Sequence, residues 1–346
     1  MINLMKKLLF SLLLIAISLS FNLEALTLKE RVQKGHAGDY IVTEQSKNYS
    51  LLFIRSLTNS LLCLEEVTVP VDKIDLQKTT WKEWLAAQAP GHSSWMIYEI
   101  DMQENRLRDC YSPSRKGWLQ ITETESLFTQ LLSLSLKKVP ESDLRRIGPT
   151  PQSGESDRRS LWTPPLVREG NRIEKPQFEV WGGRWHQDNS PLSGKELQLY
   201  FDSSVHSLPF PHWIECKGDH LTFKIRIVDS GKEIQSPLTS FPHRPLVFLS
   251  PPKKNLQGLR LHLKSPSYYK KLNLFALDIT GSPKAALPIA VQSINKGEKS
   301  EEIYLEIAQK ELATHLQENH LYRWLIIPED VQDVYLESEV PYLHKS

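Results

Sequence analysis

Thr222-Phe-Lys-Ile-Arg-Ile-Val228 and Leu259-Arg-Leu-His-Leu-Lys264 decide how the second half of this chain is read. Phe223, Ile225 and Ile227 alternate with Lys224 and Arg226, and Leu259, Leu261 and Leu263 alternate with Arg260, His262 and Lys264. Successive side chains on a strand point to opposite faces, so each stretch predicts a strand with one buried and one wet face. Phe178–Trp181, Leu197–Phe201, Leu246–Leu249, Leu272–Ile279, Ile289–Gln292, Glu302–Glu306, Tyr322–Ile327 and Val334–Glu339 are further short strand candidates between turn residues. That spacing predicts an all-β, immunoglobulin-like sandwich over residues 177–346. A small helix over Ala308–Leu316 leads to Tyr322, whose hydroxyl is expected to tie back to the preceding turn as in a tyrosine corner.

Upstream the pattern is mixed. Thr27-x-x-Glu30, Thr80-x-x-Glu83 and Thr122-x-x-Glu125 are capping boxes that predict three helix starts. The second puts Trp81, Trp84 and Leu85 on one helical face. The third opens a stripe of Leu127, Phe128, Leu131, Leu132 and Leu134, with Lys137 and Lys138 in the expected last turn. Asp39–Gln45, Tyr49–Ile54 and Ser60–Val69 read as strands, and Ser94–Met102 with Arg106–Tyr111 reads as a hairpin. Residues 27–140 are therefore expected to form an α+β domain. The stretch after it, Pro140–Pro176, holds six of the 22 prolines and little apolar bulk, so residues 141–176 read as a linker or draped segment. Trp162 is the side chain expected to pin it.

The N-terminus begins with Lys6 and Lys7, continues with an apolar or small run over Leu8–Phe21, and offers Ala25 at a cleavage point. This predicts a secretory signal peptide over residues 1–25, too short to span a bilayer, and no membrane span after its removal. The chain has 42 Lys+Arg and 41 Asp+Glu; removing Lys6, Lys7 and Glu24 leaves 40 of each. A neutral mature chain has no field with which to hold a nucleic acid or an acidic lipid surface. Three cysteines are too few for a disulfide scaffold. Cys63–Cys110 is the natural pair in an oxidising compartment, worth about 4 kcal/mol if unstrained, and three buried thiols are the other reading.

No motif fixes a reaction, and no phosphate loop or cofactor signature is present, so no cofactor is expected. His206, His212, Cys216 and His220 suit zinc chemically, but their spacing lacks tight ligand pairs, and no metal site is expected. His92 in Gly91-His-Ser-Ser94 could serve a catalytic set only with partners from elsewhere, namely His36 or Asp39 of Gly35-His-Ala-Gly-Asp39. Glu65-Glu66 and Glu99-x-Asp101 are carboxylate pairs that would need burial to differ in acidity. Trp181-Gly-Gly-Arg-Trp185 offers two indoles and Arg184 as a glycan or peptide site, unless the indoles close the core. Tyr268-Tyr-Lys-Lys271 is a lesser candidate of the same kind.

Lys34-Gly-His-Ala-Gly-Asp-Tyr-Ile-Val42, Ala89-Pro-Gly-His-Ser-Ser-Trp95 with Tyr98-Glu-Ile-Asp101, and Pro209-Phe-Pro-His-Trp-Ile-Glu215 resemble uncharacterised exported proteins of chlamydia-like intracellular bacteria. The resemblance implies a bacterial envelope or secreted location and carries over no catalytic or binding residue. Together these readings predict an exported, soluble, non-catalytic binding or structural protein whose partner is an envelope protein or glycan. The alternatives are an envelope hydrolase using the His36/Asp39/His92 loops and a secreted, host-directed effector.

Overall fold

A computed structural model describes residues 25–119, 127–152, 156–217, 223–255, 257–266, 268–281, 287–296, 301–329, 331 and 333–345. Apart from Ala25, the expected leader lies outside the described residues, as do the Thr122 capping box and His220. The chain divides into two compact units, Met1–Thr239 and Ser240–Ser346.

The first unit is built on strands β1 (Ala25–Thr27), β2 (Tyr40–Gln45), β3 (Asn48–Leu57), β4 (Leu61–Pro70), β5 (Ser94–Asp101), β6 (Arg106–Ser112) and β7 (Gly117–Leu119). After them come β8 (Ser135–Lys138), β9 (Leu166–Arg168), β10 (Asn171–Ile173), β11 (Phe178–Arg184), β12 (Glu196–Asp202), β13 (Trp213–Lys217) and β14 (Phe223–Gly231). Twelve of these form one sheet in the order β1-β8-β11-β12-β13-β14-β2-β3-β4-β5-β6-β7, and β9 and β10 form a separate hairpin. Every pairing in the sheet is antiparallel, including β14 on β2, where Gly231 stands opposite Tyr40. Among the described residues three short α-helices accompany the sheet: α1 (Leu28–Val32), α2 (Trp81–Ala86) and α3 (Leu127–Ser133).

Alternation gives the sheet two apolar faces. Ile41, Leu52, Ile54, Leu62 and Leu64 share a core with α1, with Leu131 and Leu132 of α3, and with Leu197, Leu199 and Ile214 from the other half of the sheet. On the opposite face Tyr40, Val42, Leu51, Phe53, Val67 and Val69 pack against Trp81, Trp84 and Leu85 of α2. Full burial of each large apolar side chain stabilises by roughly 1.5–3 kcal/mol, so a sheet covered on both sides is amply supported. Both described capping boxes form: Thr27 and Glu30 exchange hydrogen bonds at α1, as do Thr80 and Glu83 at α2.

The domain boundaries differ from expectation. Phe178–Gly231 was expected in a C-terminal sandwich but completes the N-terminal sheet, and the compact units part after Thr239 rather than around residues 141–176. The proline-rich segment runs over this sheet instead of joining domains. Trp162 pins it through edge-on contacts with Tyr200 at 5.5 Å and Trp213 at 5.3 Å, with the Arg145 guanidinium 4.5 Å from the indole. Its β9–β10 hairpin is tied to β14 by Ser230, whose hydroxyl donates to Val167 O at 2.8 Å. Composition shows that such a segment has no core of its own; it does not show whether it joins two domains or two halves of one sheet. Strand dominates throughout, and the N-terminal region is β-rich rather than a balanced α+β domain. The helix expected to reach Lys138 stops at Ser133, because Ser135–Lys138 pairs as β8 between β1 and β11.

The second unit, residues 240–346, has two antiparallel sheets over one core. One contains β15 (Val247–Asn255), β16 (Gly258–Lys264) and β19 (Glu302–Ala308). The other has the order β18 (Pro288–Asn295), β17 (Lys271–Asp278), β20 (Leu321–Pro328), β21 (Leu336–Glu337), and β22 (Tyr342–Leu343) also pairs with β20. Leu259, Leu261 and Leu263 meet Leu272, Leu274, Tyr322, Trp324 and Ile326 in that core. Helix α4 (Gln309–His315) precedes β20, and the Tyr322 hydroxyl accepts a 2.8 Å hydrogen bond from Gln317 N, as the tyrosine-corner pattern predicts.

Candidate functional site

A cleft of about 910 Å³ opens beside α1 in the first unit. Its chemistry starts from Arg31, placed on the apolar side of α1 one turn from Leu28 and next to Val32, both buried. The guanidinium lies 4.0 Å from the Phe201 ring centroid and 5.8 Å from that of Trp181, and it pairs with Glu179 of β11. Burial lowers its pKa to about 10, so it keeps its charge at neutral pH. At the far wall the buried Asp202 accepts from Arg168 at 2.7 Å and from the Ser204 hydroxyl at 2.9 Å. Glu30, Lys34, His36, Asp39, Ser203, Ser207 and Lys232 complete the polar lining.

The Gly35–Asp39 loop is shaped by close contacts. A Cβ on Gly35 would sit 2.8 Å from Pro209 Cγ, and one on Gly38, whose φ is +92°, 2.9 Å from Glu233 Cα. Such positions admit only glycine without rearrangement. Asp39 is buried and its Oδ2 accepts from the His36 backbone N–H at 2.8 Å, while the His36 ring, 82% exposed, stands 3.9 Å away. Thus His36 and Asp39 do meet in one cleft. His92 does not join them. It belongs to the turn after α2, where its Nδ1 lies 2.9 Å from Ala89 O and its ring meets Trp95 edge-on. Three strand spacings of about 4.8 Å separate β5 from β2, which alone puts His92 roughly 14 Å to the side. Among the described residues no serine or cysteine is hydrogen-bonded to the His36 ring, so the cleft holds no assembled nucleophile–base pair.

Trp181 and Trp185 are 4% and 3% exposed and belong to the core, and Trp181 also lines the Arg31 cleft. Trp185 Nε1 donates to Asp188 at 2.9 Å, and Arg184 is turned to Gly194 O at 3.0 Å. The intervening glycines serve backbone packing: a Cβ on Gly183 would lie 2.9 Å from both Leu136 Cδ2 and Ser135 O of β8. Tyr269 is likewise a core residue, its hydroxyl donating to Arg244 O at 2.8 Å.

Cys63 and Cys110 are free and buried, as is Cys216. Cys63 stands opposite Glu99 and Cys110 opposite Tyr98, and neighbours on β5 face opposite ways, so the two thiols lie on opposite faces of the sheet. The expected disulfide is therefore geometrically excluded. Burial pushes both thiols up to about 12, which keeps them unreactive.

The same alternation parts Glu65 from Glu66. Glu65 is fully buried on the α2 side, accepting from Arg55 at 2.6 Å, Trp95 Nε1 at 2.7 Å and the Ser236 hydroxyl at 2.9 Å. Glu66 faces the other side, held by the Ser50 hydroxyl and by Tyr98 OH. Asp101 receives the amides of Gln103 and Glu104 in the hairpin turn. Among the described residues no group of three His, Cys, Asp or Glu side chains is arranged to hold a metal ion. Nor is any helix among them long and apolar enough to cross a membrane.

The sequence reading missed Arg31, Glu179 and Asp202. A charged residue on the apolar side of the first capped helix was the available signal for Arg31. Glu179 and Asp202 carried none, because their strands were assigned to another domain.

Residues 50–174 match the model of a family described as CT021 protein. Among solved structures, the chain is similar to the hypothetical protein CT021 from Chlamydia trachomatis, with 19% identity and a TM-score of 0.44 over 64% of this chain and 98% of that one. It is also similar to the FN1–FN3 domains of chicken CNTN1, with 11% identity and a TM-score of 0.19 over 90% of this chain and 100% of that one. No curated protein matches it. The family match supports the resemblance to uncharacterised chlamydial proteins.

Proposed function

We propose that this is an exported, non-catalytic binding protein of the bacterial envelope, that the Arg31 cleft is its ligand site, and that residues 240–346 are an immunoglobulin-like module. The observation that carries the reading is how the cleft's charges are spent. Glu179 is paired with Arg31 and Asp202 with Arg168, while Asp39 accepts from the His36 amide and Glu30 from the Thr27 amide. Among the described residues, the Lys34 and Lys232 ammonium groups have neither a hydrogen bond nor an ion pair. Carboxylates fixed by arginines or by backbone amides, beside available cations, suit recognition of an acidic group on an envelope protein better than proton transfer.

The test is retention of the protein on immobilised envelope proteins, compared with a Lys34→Glu, Lys232→Glu double variant. Reversal of two accessible charges should lower retention at least tenfold and remove its salt dependence, with an unchanged melting temperature. Equal retention by the two proteins would overturn the reading. The hydrolase alternative has the His36–Asp39 approach in its favour. It requires that His36→Ala abolish an envelope-degrading activity that the wild type possesses. Fractionation of cells, with sequencing of the mature N-terminus, separates an envelope protein from a host-directed effector.

A further inference from the structure

A second cavity, of about 220 Å³, lies within the first unit beneath α1 and α3 and shares no lining residue with the Arg31 cleft. Its sheet wall includes Ile41, Leu52, Leu64, Ile214 and Ile227, and Leu131 helps to close it from above. Protein interiors contain few voids larger than a water molecule, and an apolar cavity of 150 Å³ stays dry and takes up benzene. The space here is about half as large again.

The cavity is polar at one end only. Along β2 burial fades from Ile41, which is 6% exposed, through half-buried Thr43 to exposed Gln45. Ser50 stands opposite Thr43, and Glu66 stands opposite Leu52, one pair deeper in the sheet; both line the cavity. The Glu66 carboxylate receives the Ser50 hydroxyl on one oxygen and the Tyr98 hydroxyl on the other, at 2.9 Å for Tyr98. A carboxylate has about four acceptor positions, so two donors orient it and leave capacity for a third. An anion held in place in the wall of an apolar chamber complements a cationic head on an apolar tail.

We propose that this cavity binds a small amphipathic amine, its alkyl or ring body among the leucines and isoleucines and its ammonium on Glu66. Titration calorimetry of the full chain with octylamine, octanol and octanoate tests this. Octylamine should bind saturably at one site, at least tenfold more tightly than octanol, and octanoate more weakly than either. Glu66→Gln should bring octylamine down to the octanol affinity while leaving octanol unchanged. Val32→Trp, which fills the space from α1, should remove binding of both; if that variant does not fold, Glu66→Gln decides alone. The proposal falls if octylamine shows no saturable binding. It also falls if Glu66→Gln keeps the preference for amine, or if folded Val32→Trp binds as the wild type does.

Discussion

The His212 imidazole is 2% exposed, beside the Phe178 ring, and its Nε2 has no hydrogen-bond partner among the described residues. Burial opposes its charged form and pulls its pKa down to about 4, with Asp202 pulling weakly the other way. An unfolded histidine takes up its proton near pH 6.5. Between those values the unfolded chain binds more protons than the folded one, so stability is fully present above pH 6.5 and drains away as pH falls towards 4. The shift amounts to about 3 kcal/mol over the full window. Urea unfolding at pH 7 and pH 4.5 should therefore show wild type losing about 2–3 kcal/mol more than His212→Phe, which has no proton to bind. Identical losses would mean that the folded imidazole titrates normally. In sequence His212 sits among possible zinc ligands, because sequence displays a residue's chemistry but not its exposure.

At the scale of elements, local signals and long-range pairing competed, and the outcome depended on length. The capping boxes at Thr27 and Thr80 open helices because each satisfies free amide donors within one turn. The hairpin of β5 and β6 also follows its local pattern, although Trp95 and Ile97 are buried as fully as Ile100, so β5 is covered on both faces. The leucine stripe of α3 was overruled at its end. There Ser135-Leu-Lys-Lys138 gains ladder hydrogen bonds on two edges as β8, which a last helical turn cannot match. Gly183 is the contact point that lets β8 lie close against β11. A Gly183→Ala change should cost about 1–3 kcal/mol by forcing these strands apart. Thermal melting would register it, and an unchanged midpoint would show that the contact is slack.

For the whole molecule, the decisive feature is that β14 pairs with β2 and so joins both ends of the first unit into one sheet. Cutting within residues 141–176 should leave the two pieces of that unit bound to each other through β14–β2 and β11–β8, coeluting on size exclusion until denatured. Separation under native conditions would restore a domain boundary at the proline-rich segment. Residues 240–346 expressed alone should unfold cooperatively, since Leu261, Tyr322 and Trp324 share a core within that unit. Residues 177–346 should aggregate instead, because β14 would present an open edge where β2 belongs.

The sequence by itself determined where strands alternate, where two helices begin and how Tyr322 closes its turn. Each of these is set by residues a few positions apart, whose periodicity or capping chemistry acts locally. It also carried a resemblance to chlamydial proteins that the family match supports. Only the tertiary structure decided which strand lies beside which. An exposed edge offers the same backbone donors and acceptors to any partner, and the choice is made by surfaces brought together from distant parts of the chain. That choice put Trp181 in the core, turned Cys63 and Cys110 to opposite faces, and gathered Arg31, Glu179 and Asp202 around one cleft.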